Sequence, residues 1–256
     1  MVSHNNKADF ETIYGVNAIY ELLALAPNKV LELYVEVQRV EPLKKSKVTD
    51  ILTICEENKI RVNKLEKPAF LTKFGDLPHQ GIAAHFKPKA MLPEGELVAI
   101  LQKASNPLIL ILDGVQDPNN LGACIRVSEA AGVDLLIIPK NNSATLTPAV
   151  RKVASGATES LNIMTVTNIA RTIKVLQDNG VWIVGTSLEA TQYLYSVDLK
   201  SSIAIVMGGE ADGMRSLTAK NCDYLIKLPM NGKIQSLNVA SATGICLFEA
   251  VRQRLK

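Results

Sequence analysis

Apolar positions along this chain follow two rhythms. From Ile13 to Phe86 the recurrence expected of amphipathic helices alternates with short runs rich in Val, Leu and Tyr. The pattern predicts a helix over Val16–Leu25, a strand over Val30–Val37, a helix over Val48–Asn58, a short strand near Val62, a helix near Phe70 and a last strand over Gly81–Phe86. Helices and strands in alternation make a small α/β layer domain that closes near Phe86. From Leu108 onward the runs become almost wholly apolar, which is the pattern of strands buried on both faces: Leu108–Leu112, Leu135–Ile138, Ile163–Val166, Val181–Thr186, Ile203–Met207 and Tyr224–Leu228. Helical stretches separate them, from Leu121 to a stop at Gly132, at Pro148–Ala154 and at Ile169–Asn179. The second domain is therefore expected to be a parallel sheet with helices on both faces.

Between the two rhythms, Pro88, Pro93, Gly95 and Pro107 bracket one helical piece, Leu97–Lys103, in the manner of a linker. The expected division is 10–87, a linker over 88–106, and 107–256. Residues up to Asp9 are polar and are expected to be disordered.

Composition changes this picture only a little. With 256 residues, 47% of them hydrophobic, a sizeable core is available. No apolar run reaches the length of a membrane span, and the start of the chain lacks the layout of a signal peptide, so the expected location is the cytoplasm. Cys55, Cys124, Cys222 and Cys246 lie far apart in apolar or helical contexts, which favours buried thiols over disulfides or a metal site. The net charge of +3 permits an acidic partner without requiring one. Residues 1–90 hold thirteen Lys/Arg against eleven Asp/Glu, so a nucleic-acid face there has to be a local patch such as Lys44, Lys45 and Lys47. Read alone, that cluster is first a solvated turn.

The candidate chemistry lies in three stretches. Two apolar runs end in loops, Gly208-Gly209-Glu210 and Leu228-Pro229-Met230, at the strand ends where open parallel sheets bind ligands. A third stretch, Ser236-Leu237-Asn238-Val239-Ala240-Ser241, opens a helix whose first residues are small enough for another backbone to approach. About a hundred residues upstream stands Leu112-Asp113-Gly114-Val115-Gln116-Asp117-Pro118-Asn119-Asn120-Leu121-Gly122-Ala123-Cys124-Ile125-Arg126. A dinucleotide-binding reading fits poorly. No Gly-x-Gly-x-x-Gly follows the first strand of either domain, and Asp113 and Asp117 stand where a pyrophosphate would sit.

In this order and spacing, the stretches resemble the three motifs of the SpoU class of knotted, S-adenosylmethionine-dependent RNA 2′-O-methyltransferases. Glu210-Ala211-Asp212-Gly213 departs from the family's usual Glu-Gly-x-Gly at Ala211. The amino-terminal region, with Ile13-Tyr14-Gly15 and His79-Gln80-Gly81-Ile82, resembles the family's substrate-binding domain. That second likeness points to the members that act on a guanosine of 23S ribosomal RNA in the large-subunit P-loop.

The resemblance implies a deep trefoil knot in the second domain, overruling the default of an unknotted doubly wound sheet. It also implies a homodimer and an RNA partner. It places Gly208, Leu228 and Leu237 at cofactor-contact positions. Arg126 becomes the catalytic candidate, with Asn120, Glu210, Ser236 and Asn238 around it. Without the resemblance, Gly208-Gly209 reads as a tight turn, Leu228 and Leu237 as core, and Arg126 as a surface helix residue. A guanidinium is a poor base, so Arg126 is expected to clamp a phosphate and favour the forming alkoxide, with the proton acceptor open. The competing readings are a transfer RNA ribose methyltransferase and a non-catalytic RNA-binding protein that kept the fold.

Overall fold

The structure is a computed structural model that describes residues 10–39, 46–210 and 213–255; the polar start, Met1–Asp9, and Lys44 and Lys45 lie outside them. The chain divides into two compact units, Met1–Ala90 with Leu146–Ser160, and Met91–Thr145 with Leu161–Lys256.

The first unit contains β1 (Glu11–Tyr14), α1 (Val16–Leu25), β2 (Val30–Glu36), α2 (Lys47–Glu57), β3 (Arg61–Leu65), α3 (Lys67–Phe74) and β4 (Ile82–Phe86). Its sheet runs β1-β4-β2-β3, with β4 antiparallel to both neighbours and β2 parallel to β3. Alternation along the strands divides the core. Leu33, Val35 and Ala84 pack with Ile19 and Leu22 of α1 and Ile51 and Cys55 of α2, whereas Tyr34 and Ala83 pack with Phe70 of α3.

In the second unit come β5 (Leu92–Pro93), α4 (Leu97–Lys103), β6 (Leu108–Asp113), α5 (Pro118–Ala130) and β7 (Leu135–Pro139). The chain then forms α6 (Pro148–Ala154) and α7 (Ala157–Ser160), which belong to the first unit. It re-enters the second unit as β8 (Ile163–Val166), α8 (Ile169–Asp178), β9 (Trp182–Thr186), β10 (Gln192–Tyr193), β11 (Ile203–Gly208), α9 (Ser216–Lys220), β12 (Tyr224–Lys227) and α10 (Val239–Arg254).

Within the first unit, Arg151 of α6 is 4% exposed. Its Nη1 donates to Glu159 Oε1 at 2.9 Å, and its Nε lies 2.6 Å from Glu11 Oε2 as a charge contact without hydrogen-bond alignment. Glu159 Oε2 accepts from Lys29 Nζ at 3.1 Å and from the Lys89 amide at 2.7 Å. The buried guanidinium and carboxylate are thus both compensated, the condition under which such a pair holds elements together.

Eight parallel strands form the second sheet, ordered β10-β12-β9-β11-β6-β7-β8-β5. Ile109 and Ile111 of β6, with Leu135, Ile137, Ala204 and Val206, meet Leu97 and Leu101 of α4 and Ile169, Ile173 and Leu176 of α8. The intervening residues, Leu108, Leu110 and Leu112, are buried toward the opposite face. There α10 packs on α5 and β11. After β12 at the far side of β9, the chain therefore returns past two strands before it enters α10. The segment 92–103, read from sequence as linker, supplies β5 to the sheet edge and α4 to the core.

Candidate active site

Strand register sets the first part of the site. Gly208, the last residue of β11, pairs with Asp113, the last residue of β6, so the loops that follow leave the sheet side by side. The Asp113 carbonyl accepts the Gly209 amide at 3.0 Å, and Gly209 and Gly213 exchange main-chain hydrogen bonds at 3.1 and 3.2 Å. The Asp113 side chain is fully buried; its Oδ2 accepts the Arg215 amide at 3.1 Å and its Oδ1 lies 3.5 Å from Arg215 Nε. One aspartate therefore anchors both limbs of the loop after β11. At Gly208 a Cβ would lie 2.2 Å from Gly213 C and Met214 N, and at Gly209 2.5 Å from Gly114 O. No side chain fits at either position, which is why both residues are glycine.

Helix α5 opens with Asp117, whose carboxylate accepts the Asn119 and Asn120 amides at 2.6 and 3.4 Å, and with Pro118 in its first turn. The helix thus starts three residues before the Leu121 expected from periodicity, at a cap and a proline that the sequence displays. This places Asn120 in the first turn of α5, where its side chain joins the three motifs. Asn120 Nδ2 donates to Glu210 Oε1 at 2.7 Å, and Asn120 Oδ1 accepts from Asn238 Nδ2 at 2.8 Å. Asn238 in turn caps α10, its Oδ1 accepting from the Ala240 and Ser241 amides at 2.9 and 3.4 Å. The amide of Asn120 is used at both ends, so it fixes the loop after β11 against the start of α10.

The remaining sequence candidates differ in exposure. Arg126 is on the exposed side of α5, about 9 Å further along the helix axis than Asn120. Leu228 is half-buried directly after β12. Ser236 and Leu237 belong to 231–238, in which every residue is exposed. The small residues of α10 are partly used within the chain: a Cβ at Gly244 would lie 3.3 Å from Val127 Cγ2 of α5, and Thr243 Oγ1 is 3.6 Å from Cys124 Sγ. Burial pushes the thiols up, Cys55 and Cys124 to about 11 and Cys222 and Cys246 to about 12, so none is a ready nucleophile at neutral pH. In the first unit, Lys47 Nζ donates to Asn17 Oδ1 at 2.8 Å and stands 5.6 Å from the Tyr20 ring centroid. In the sequence Asp113 speaks only against a pyrophosphate site, and Arg215 carries no signal of a role. Their pairing spans 102 residues, and the one local signal is an acid closing an apolar run.

Residues 107–248 match the SpoU rRNA Methylase family, and residues 12–92 match the RNA 2′-O ribose methyltransferase substrate binding family. This chain belongs to the SpoU family. The 23S rRNA (guanosine-2′-O-)-methyltransferase RlmB of Haemophilus ducreyi is 48% identical over 250 residues, covering 96% of this chain and 98% of that protein. The protein of the same name from Pseudomonas putida is 46% identical over 248 residues, again 96% and 98% of the two chains. Among solved structures, the SpoU methyltransferase AviRb from Streptomyces viridochromogenes in complex with AdoMet superposes with a TM-score of 0.74, covering 98% of this chain and 94% of that one. At 24% identity that superposition speaks for the fold. Gly208 and Gly209 exclude side chains, so the loop after β11 presents main-chain groups, which suits a ligand held through backbone hydrogen bonds.

Proposed function

We propose that this protein transfers a methyl group from S-adenosylmethionine to the ribose 2′-hydroxyl of a guanosine in 23S ribosomal RNA. The observation that carries this reading is the 48% identity to an enzyme of that name across 96% of the chain, both units included. In this reading Gly208, Leu228 and Leu237 would hold the cofactor, through main-chain groups of the glycine loop and the apolar side chains of the two leucines. When bound, S-adenosylmethionine supplies a methyl group on a sulfonium that departs as a neutral thioether. The work of the chain is to align the 2′-hydroxyl with that methyl group and ease loss of its proton. Arg126 grips the phosphate beside the reacting ribose and favours the developing alkoxide. Asn120, Glu210 and Asn238 keep the loops that surround the reaction in register, and Ser236 is assigned to the same site.

We infer that the first unit, with Lys44, Lys45 and Lys47, binds the RNA and that the protein works in the cytoplasm. Counted along the sequence, the RNA-binding and methyltransferase regions of this reading are 10–87 and 107–256, with 88–106 between them. The return of the chain after β12 to bring α10 onto α5 supports the deep trefoil knot. A homodimer through the second unit is supported by apolar side chains that one chain leaves exposed: Ile234 is 73% exposed, Phe248 47% and Leu255 72%.

The test is methyl transfer from labelled S-adenosylmethionine to RNA from cells lacking the gene, with sites mapped by mass spectrometry. The expected product is one ribose-methylated guanosine in 23S RNA. A mark in transfer RNA instead would move the substrate to that class, and no transfer to any RNA would overturn the enzymatic reading.

A further inference from the structure

The first unit holds a cavity of about 400 Å³ that none of the candidate catalytic residues lines. Tyr14, Lys73, Phe74, Leu77, His79 and Pro148 are among its walls. Behind them the packing is aromatic. Phe70 lies tilted at 4.8 Å from Phe74 and 4.7 Å from His79, centroid to centroid, and Tyr34 meets Phe74 edge-on at 5.1 Å. Two ammonium groups stand over the rings. Lys73 Nζ is 4.7 Å from the Tyr34 centroid and 5.8 Å from that of Phe74. Lys152 Nζ is 4.9 Å from the Tyr14 centroid and donates to the Pro78 carbonyl at 3.1 Å. His79 Nδ1 accepts the Gly81 amide at 2.9 Å, which leaves Nε2 as the ring's donor.

From this geometry we propose that the cavity binds one unpaired nucleotide of the RNA substrate, its base stacked on Tyr14 and Phe74 and its phosphate held by Lys73. The volume lies within the range of small-ligand sites. The half-buried rings of Tyr14 and Phe74 and the exposed Leu77 offer flat apolar surface to a base. Among the described residues no carboxylate lines the cavity, and its charged wall is a cation, which suits a phosphodiester. Aromatic faces flanked by lysine are the means by which single-stranded RNA is held. The walls from Tyr14 to His79 also fall within the match to the substrate-binding family. The proposal rests on the reading of this protein as an RNA methyltransferase for its choice of an RNA ligand.

The experiment uses the full chain and fragments of 23S RNA that it methylates, with 2-aminopurine at each unpaired position in turn. The variants are Tyr14→Leu and Phe74→Leu, which keep apolar volume but lose the ring, and Lys73→Gln at an exposed position where the fold is not at risk. Lys103→Gln is the control for loss of one surface charge. At one position the probe should be quenched by the wild type and not by Tyr14→Leu. RNA affinity should fall about ten-fold for each ring variant, the order expected for one lost base–aromatic stack. Lys73→Gln should lower the slope of log affinity against log salt by about 0.7, one phosphate contact, and Lys103→Gln should not. Hydrogen exchange of the β2 and β4 amides reports that the first unit is folded in each variant. Wild-type RNA affinity and salt slope in Lys73→Gln and Phe74→Leu, with methylation intact, would refute the cavity proposal and leave the activity standing. Failure of the wild type to bind or methylate any ribosomal RNA fragment would refute both.

Discussion

Replacing Gly208 by alanine tests whether the loop after β11 is built to hold a ligand through its main chain. The added Cβ would stand 2.2 Å from Gly213 C and Met214 N, where ordinary contact begins near 3.4 Å. Both neighbours are backbone, so the 213–214 peptide has to retreat by more than 1 Å. That movement strains the mutual Gly209–Gly213 hydrogen bonds and the bond from the Arg215 amide to Asp113. Overpacking of this kind, with one or two main-chain bonds weakened, costs about 2–3 kcal/mol in stability. Gly213→Ala is the informative partner. Nothing lies within 4 Å of its Cβ, but its φ is +66°, so the expected cost is only the left-handed backbone term of about 1–2 kcal/mol. Gly132→Ala, with φ +70° and equally open space, carries the same backbone cost outside the site. Calorimetric titration with S-adenosylmethionine, at a temperature where all three variants are folded, should rank them. Gly208→Ala should lose at least ten-fold in affinity, Gly213→Ala less, and Gly132→Ala nothing. If Gly208→Ala binds as tightly as the wild type, the loop does not hold the cofactor and the site has been placed wrongly.

Arg126→Ala should bind S-adenosylmethionine normally and lose orders of magnitude in turnover, and Arg126→Lys should remain badly impaired if the role is a two-pronged grip on phosphate. Substantial rescue by lysine would mean simple charge stabilisation. Glu159→Gln leaves Arg151 without its charge partner in a buried setting and should cost about 3 kcal/mol in thermal or urea unfolding; a change under 0.5 kcal/mol would show that Glu11 alone compensates the guanidinium. Acid should weaken the first unit. Burial holds the His85 imidazole below its ordinary 6.5, and a hydrogen bond from Tyr34 holds the Glu32 carboxyl below its ordinary 4.5. In each case the unfolded chain takes up protons more readily, so stability is full above pH 6.5 and falls as pH drops below it, first through His85 and then through Glu32. Hydrogen exchange of β2 and β4 amides at several pH values should show this, and His85→Gln should flatten the upper part of the decline. An unchanged pH profile in that variant would remove His85 from the account.

Much of the fold is legible in the sequence because its signals are local. Runs such as Leu108–Leu112 contain no polar residue to leave uncompensated, and helices such as Val16–Leu25 end where the apolar recurrence ends. The short elements are not legible. β5 is two residues long and includes a proline, so only its pairing with Met164 and Thr165 makes it a strand. Neither does any local pattern assign α6 and α7 to the first unit, since that depends on Arg151 and Glu159 meeting residues far away in sequence. The site divides in the same way. Asn120, Glu210 and Asn238 are recognisable through motif resemblance, and the hydrogen bonds that join them are a product of the fold. The small residues of α10 were legible as an invitation to close approach, but not as a seat for Val127 of the same chain.

The bridge centred on Asn120 also has a consequence for the order in which the molecule comes into being. Its hydrogen bonds span 90 residues to Glu210 and 118 to Asn238, and β6 must wait for β11 before it gains its inner neighbour. During synthesis, β6, β7 and α5 emerge long before β11 and α10, the segments that complete them. Contacts of such long sequence separation form slowly, because the intervening chain must be ordered before they are rewarded. A nascent or truncated chain therefore has a partial sheet and no closed site, and methyl-transfer competence appears only once the final helix has docked. Loss of even the last helix should abolish ligand binding altogether, leaving no partial activity in the fragments.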